Sequence, residues 1–421
     1  MPASIVEPQG LPQRLLAPSR RLLTKRFAVW FPLTVFFVTR AINAVMIGLA
    51  SGNQIAIPTT GLGGRLAIVS PASPDYWVVA SNWDGRWYGA IATYGYPDSL
   101  PIDSAGHVLP NAYAFPPLYP MLVRLLMTLT GLDFTLAGPI VSLACGAGAM
   151  MLVFRLVADT AGRRAGALTV VLVSTFMSAP VFQISYSEGL TILLVSGALW
   201  LLTRRRYVAL APVLVLLALT RPVAPALALV ILVHGWVRYR NRSADEGFAF
   251  CERLWVIGVA VLGVLVAGVW PLWAAVKTGK PNAYMDSMAA WVQHGGPRTL
   301  AAWPSLLWQR VVVVGLLLLL VIACVRLVTR PGARAWSIEV RSWAWAYPLF
   351  MFATGPGSSS MRYAVLAFPL IWPFVERPAT QAERRTQLGF AMVLAAIGLF
   401  AQWVWISHYL VTTAYADGTI P

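Results

Sequence analysis

Apolar residues in this chain come in long runs separated by short polar segments. Most runs have the length that a helix needs to cross a bilayer or to sit inside a bundle that does. The hydrocarbon core of a bilayer is about 30 Å thick and takes roughly 20 apolar residues of helix. By that measure about eleven runs qualify: 27–50, 136–157, 166–184, 188–203, 207–221, 223–240, 254–276, 304–327, 342–354, 361–375 and 387–410. The first follows a polar, basic tail that contains Arg14, Arg20, Arg21, Lys25 and Arg26. No small-residue cleavage site closes that run, so it predicts an uncleaved first span. The predicted fold class is an all-α integral membrane protein. Residues 1–26 form a cytoplasmic tail, 27–410 a polytopic domain and 411–421 an outer tail.

Charge fixes the orientation. A formal net charge of +16 raises the question of a nucleic-acid partner. Sorting the arginines by loop answers it. With the N-terminus inside, the loops 158–165 (Arg163, Arg164), 203–206 (Arg204, Arg205, Arg206), 238–253 (Arg238, Arg240, Arg242, Arg253), 328–341 and 376–386 all fall on the cytoplasmic side. That is the positive-inside pattern, and it accounts for the charge without nucleic acid. Two long loops, 51–135 and 277–303, are left outside. Segment 116–131, "PPLYPMLVRLLMTLTG", is apolar enough to count as a span, but counting it would invert every later loop. It therefore predicts an amphipathic helix lying on the outer surface, with Arg124 at the interface.

Composition agrees: 58% of residues are hydrophobic and 11% charged, a balance unlike that of soluble domains. Cys145, Cys251 and Cys324 are too few and too widely spaced for a disulfide framework or a metal-ligand pattern. His107, His234, His294 and His408 show no ligand spacing either. Gly61-Leu62-Gly63-Gly64 lacks the flanks and the Lys-Ser/Thr ending of a phosphate loop. Scarce lysine beside abundant arginine and alanine fits a GC-rich bacterial genome, and so a bacterial plasma membrane.

Against this apolar background, "SNWDGRWYGAIATYGYP" (81–97) places Asp84 and Arg86 among Trp83, Trp87 and Tyr88. Taken alone, Asp84 reads as a helix cap and the rings as an interfacial belt. Three further charges change that reading. Glu188 in "SYSEGL", Arg221 in "LTRP" and Arg362 in "SSSMRYAVLAFP" fall at outer ends of spans under the same topology. Charges at span ends are costly and usually face a functional cavity. A carboxylate can take a proton from an alcohol while guanidinium forks hold a departing phosphate. Together they suit sugar transfer from a lipid phosphate to a hydroxyl. A carrier for an anionic lipid is the rival reading, but a carrier needs gating on both faces, whereas these charges gather outside.

Five stretches carry a resemblance: "WDGRWYGAIATYGYP" (83–97), "AFPPLYPMLVRLL" (114–126), "SYSEGLTILL" (185–194), "ALTRPVAP" (218–225) and "SMRYAVLAFPL" (360–370). In content and order they resemble the PIG-V-like mannosyltransferases of the GT-C superfamily. The departures are "FPPLYP" where that family usually has FFPLYP, and an insertion-like "DSLPIDSAGHVLPNA" (98–112). The resemblance implies a GT-C fold with surface-lying helices in the first outer loop. It implies a polyprenyl- or dolichyl-phosphate-mannose donor and a glycolipid or glycan acceptor, with no nucleotide or metal cofactor. It makes Asp84 the general base, with inversion to an α-mannoside, and Arg362 and Arg221 the binders of the donor phosphate. Glu188, Trp83, Arg86, Trp87, Tyr88 and Tyr119 would contact or orient the substrates. Another lipid-linked sugar, such as arabinose or glucose, remains open.

Overall fold

The computed structural model describes residues 16–57, 68–242, 247–291, 322, 336–354, 359–370 and 378–413. Most of the predicted span 304–327, the end of 361–375, the Gly61–Gly64 loop, His294, Cys324 and most of both tails lie outside the described residues. Within them the chain is helical, with two isolated bridges, Ile57 to Ser70 and Ile102 to Val108, and no strand. The helices are α1 (Leu16–Ser51), α2 (Tyr76–Val79), α3 (Asp84–Tyr94), α4 (Leu118–Thr130), α5 (Phe134–Ala161), α6 (Arg163–Ser174), α7 (Glu188–Thr203), α8 (Tyr207–Ala218), α9 (Ala224–Arg240), α10 (Phe250–Leu265), α11 (Val269–Thr278), α12 (Ala283–Trp291), α13 (Ile338–Thr354), α14 (Ser360–Tyr363) and α15 (Gln381–Trp405).

Among the described residues, four helical stretches are long and apolar enough to cross a membrane: Arg26–Ser51, Phe134–Ala161, Phe250–Thr278 and Gln381–Leu410. Each coincides with a predicted span. Their outward faces are apolar, as lipid contact requires: Trp30, Val45 and Leu49 on α1, Val264, Leu272 and Val276 on α10 and α11, and Met392, Ile397 and Phe400 on α15 are exposed. The remaining predicted spans within the described residues coincide with shorter helical segments. At 1.5 Å per residue, the 13 residues of α4 reach only about 20 Å.

Local chemistry sets the helix ends. Asp133 Oδ1 accepts the Leu136 N–H at 3.1 Å and starts α5. Thr380 and Glu383 form a reciprocal capping box at the start of α15. The predicted span 166–184 is interrupted. α6 stops at Ser174, and a single 3-10 turn follows at Ala179–Phe182. Side chains from other helices take up the carbonyls there. Arg40 Nη2 donates to Ser174 O at 2.7 Å and Nη1 to Ala179 O, while Gln402 Nε2 donates to Phe176 O at 2.8 Å. Pro180 has no N–H with which to continue the helix.

α5 is the hub of the bundle and packs against α7, α6, α1 and α4. The approach of α7 is close. A Cβ added at Gly189 would lie 2.9 Å from Ser142 O, so only glycine lets the first turn of α7 rest on the α5 backbone. That contact buries Glu188 completely.

The loop 51–135 is tied to the segment that follows α15. Asn82 Nδ2 and Trp83 Nε1 both donate to Leu410 O, at 3.2 and 3.0 Å, and Ile55 N donates to Thr412 O at 2.9 Å. Asn82 also gives a hydrogen bond to Gln54 Oε1 at 2.7 Å and receives one from Ser70 Oγ at 2.6 Å. This buried network holds Trp83 at φ +54°, a left-handed conformation that a tryptophan adopts only when its surroundings impose it. Asp84 is the next residue and the first of α3.

Candidate functional site

Asp84 opens α3, Glu188 opens α7, Arg221 follows α8 and Arg362 lies in α14. The structure brings all four together. Arg362 Nη2 donates to Asp84 Oδ2 at 2.7 Å, and Arg221 Nη2 donates to Glu188 Oε1 at 2.8 Å. Arg362 Nε lies 2.9 Å from the same Glu188 oxygen, without the alignment of a hydrogen bond. Two carboxylates thus face two guanidinium groups in a formally neutral cluster. Arg362 is 2% exposed, the Glu188 side chain 0%, and the Arg221 and Asp84 side chains 11% and 13%, so the cluster is reached from the Asp84 and Arg221 side.

Asp84 does not cap its helix. The N-cap is Trp83, which makes no side-chain cap bond, and the carboxylate turns to Arg362. Glu188 is likewise the first helical residue and not the cap.

The cluster is not internally satisfied. Among the described residues Arg362 Nε and Nη1 have no hydrogen-bond partner, and neither does Glu188 Oε2. Buried polar atoms are paired in the great majority of cases, so such atoms usually have a ligand to meet. Unpaired N–H donors beside a cation suit an anion.

Three residues that the sequence reading missed complete the arrangement. Ser187 Oγ accepts from Arg221 Nε at 3.0 Å and from Tyr88 Oη at 2.9 Å. Tyr363 Oη accepts from Arg362 Nη2 at 3.0 Å, and its ring carries the Arg221 guanidinium 4.2 Å from the centroid. Tyr186 lies under Arg362 at 4.7 Å. Ser187 and Tyr363 are sequence neighbours of Glu188 and Arg362, which was the available signal. Nothing in a one-dimensional pattern says which hydroxyl turns toward a charge.

The remaining predicted residues lie at varying depth. Tyr88 reaches the cluster through Ser187, and burial pushes its phenol pKa up. Tyr119 is fully buried with its hydroxyl on Gly138 O at 2.9 Å, and it packs edge-on against Tyr88 at 4.8 Å. It braces Tyr88 from behind and has no surface of its own. Trp87 stacks on Phe115 at 6.1 Å. Arg86 is not brought to the cluster: its Nε donates to Ile68 O at 3.3 Å, and burial lowers its pKa. Trp83 spends its indole N–H on Leu410 O.

A cavity of about 460 Å³ lies nearby, lined among others by Tyr96, Arg124, Leu219, Trp270 and Trp273. None of the four clustered charges lines it. Elsewhere a second buried polar chain joins four helices. Glu339 Oε1 meets His234 Nδ1 at 2.6 Å, His234 Nε2 meets Tyr207 Oη at 3.0 Å, and Tyr207 donates to Glu252 Oε1 at 2.9 Å. It shares no residue with the first cluster.

No protein-family model matches the chain, and no curated protein matches it. Among solved structures, the chain is similar to the oligosaccharyltransferase of Archaeoglobus fulgidus. To its apo form the identity is 12% with a TM-score of 0.47, covering 91% of this chain and 57% of that one. To AglB from the same organism in complex with an inhibitory peptide and a dolichol-phosphate, the identity is 12% with a TM-score of 0.44, covering 90% and 56%. The chain therefore spans little more than half the length of these proteins.

Proposed function

We propose that this chain is an inverting glycosyltransferase of GT-C type, with about eleven spans and its site at the outer face of the membrane. It would move mannose from a polyprenyl-phosphate-mannose donor to a hydroxyl of a glycolipid or glycan acceptor, leaving an α-mannoside. The observation that carries the reading is Arg362, a buried guanidinium that touches both carboxylates yet keeps N–H donors unpartnered. Phosphate oxygens satisfy such donors, and Arg221 beside them adds a second positive charge. The order and content of the five motifs support the same class.

The chemistry follows from the neighbours. The acceptor oxygen attacks the anomeric carbon as its proton passes to the Asp84 carboxylate. The bond from that carbon to the phosphate oxygen breaks, and its electron pair leaves on the phosphate, which the two arginines neutralise. Attack from the face opposite the leaving group inverts the centre. A phosphate that draws on Arg362 competes with Asp84 for Nη2, so donor binding also loosens the contact that restrains the base. Glu188 fixes both arginines through one oxygen. The reading invokes no nucleotide and no metal.

The test is transfer itself. Membranes with and without the protein are given radiolabelled polyprenyl-phosphate-mannose, and the labelled product is identified. Protein-dependent labelling of a glycolipid or glycan is expected. Labelling only from a different lipid-phosphate sugar would overturn the mannose assignment, and no transfer from any such donor would overturn the enzyme.

A further inference from the structure

We propose that Tyr363 is a third ligand of the donor phosphate, giving it a hydrogen bond from the phenol. The inference rests on the glycosyltransferase reading and adds a residue to it. Tyr363 is in contact with both arginines. Its ring carries Arg221 at 4.2 Å and Arg362 at 4.9 Å, and its oxygen accepts from Arg362 Nη2 at 3.0 Å. A phenol has one proton to give. Here the oxygen is already occupied as an acceptor, and among the described residues the proton has no acceptor. Both neighbouring cations repel that proton and direct it to whatever anion they gather. A phenylalanine would serve the ring contacts equally well but not the bond from Arg362, so the hydroxyl both places that guanidinium and keeps a proton to give.

The backbone fixes the position. Tyr347 Oη donates to Tyr363 O at 3.1 Å, and Ser178 Oγ donates to Arg362 O at 3.2 Å. Arg362 Nε and Nη1 are also without a hydrogen-bond partner among the described residues, so the half-buried phenol adds a donor beside a guanidinium that still has N–H groups to give. Phosphate, with its several acceptor oxygens, matches those donors, whereas the uncharged alcohol of the same lipid does not. Tyr363 accordingly selects the phosphorylated end of the lipid.

Tyr363→Phe removes only the hydroxyl. Its thermal stability in detergent should match wild type, and its kcat/KM for the lipid-phosphate sugar should fall about 10- to 100-fold, the scale of one hydrogen bond to a charged group. Binding of farnesyl phosphate, used as a short probe, should weaken by a similar factor while binding of farnesol stays unchanged. Weakened placement of Arg362 would also separate those two probes, and 3-fluorotyrosine at 363 tells the roles apart, because fluorine makes the phenol a better donor and a poorer acceptor from Arg362. Normal turnover and normal farnesyl phosphate binding in Tyr363→Phe, with Arg362→Ala inactive, would overturn this proposal and leave the glycosyltransferase reading standing. Normal turnover in both variants would overturn the reading itself. Should Tyr363→Phe fail to fold, 3-fluorotyrosine at 363 keeps the shape and makes the phenol a stronger donor. It should tighten farnesyl phosphate binding by about two- to threefold without moving farnesol, and an unchanged ratio would overturn the proposal.

Discussion

Arg362 Nη2 lies 2.7 Å from Asp84 Oδ2 although 278 positions separate the two residues in the chain. Under the proposed reading the contact bears on order, because a phosphate that draws Arg362 Nη2 away releases the Asp84 oxygen it holds. This predicts that acceptor turnover depends on prior donor binding, which initial-rate patterns with both substrates varied would reveal. A random-order pattern would speak against it.

Asp84→Asn preserves the shape of the side chain and removes its basicity. The variant should fold and bind donor, with turnover lower by roughly 10²–10⁴-fold, the usual contribution of a positioned proton acceptor. Purified enzyme with lipid-linked mannose checks this, and near-normal turnover would return the carboxylate to a structural role.

Arg362→Ala should weaken donor use far more than Arg362→Lys, because lysine keeps the charge and loses the planar fork. Arg163→Ala is the control. That guanidinium sits over the Phe27 ring at 4.7 Å, far along the chain from the cluster. Equal donor kinetics for Arg362→Ala and wild type would remove this residue from the site.

The chain from Glu339 to His234 predicts a stability effect without a catalytic one. His234→Ala removes the 2.6 Å partner of the buried Glu339 carboxylate, which keeps its hydrogen bond with Ser337, and should cost about 1–3 kcal/mol, whereas replacing His234 and Glu339 together by leucine should recover most of that loss. Thermal denaturation of the single and double variants measures it. A double variant as unstable as the sum of the singles would show that the pair is not coupled.

Orientation is open to direct chemical test. Cys251 is exposed in the structure and lies inside under the predicted topology. An impermeant thiol reagent applied to intact cells should spare it and should label a cysteine introduced at Ala290. The reverse pattern would invert the arrangement and move the charged cluster to the other face.

Much of this was legible in sequence. Apolar length located α1, α5, α10 with α11, and α15, because crossing a bilayer imposes a composition that no other constraint produces. Asp84, Glu188, Arg221 and Arg362 stood out for the same reason, since a charge in an apolar setting is costly and therefore visible. Ser187 and Tyr363 were not, because hydroxyls cost little and occur everywhere. Nor was the end of α6 at Ser174. Arg40 and Gln402, from the first and last of the long helices, take up the carbonyls there, a long-range event that no local window contains. Arg86 lies apart from the cluster despite its nearness to Asp84 in sequence, since positions two apart on a helix do not face each other.

The hydrogen bonds from Asn82 and Trp83 to Leu410 O have a bearing on biogenesis. The backbone that aims Asp84 is held by a carbonyl near the far end of the chain. At about 5–20 residues per second, the ribosome takes tens of seconds to travel from one to the other. Through that interval the nascent protein already has its 51–135 loop, but not the strut that sets the angle of Asp84. Under the proposed reading, transfer competence would thus arrive only when the helix leading to Leu410 inserts, and a chain without it would not act on passing lipid.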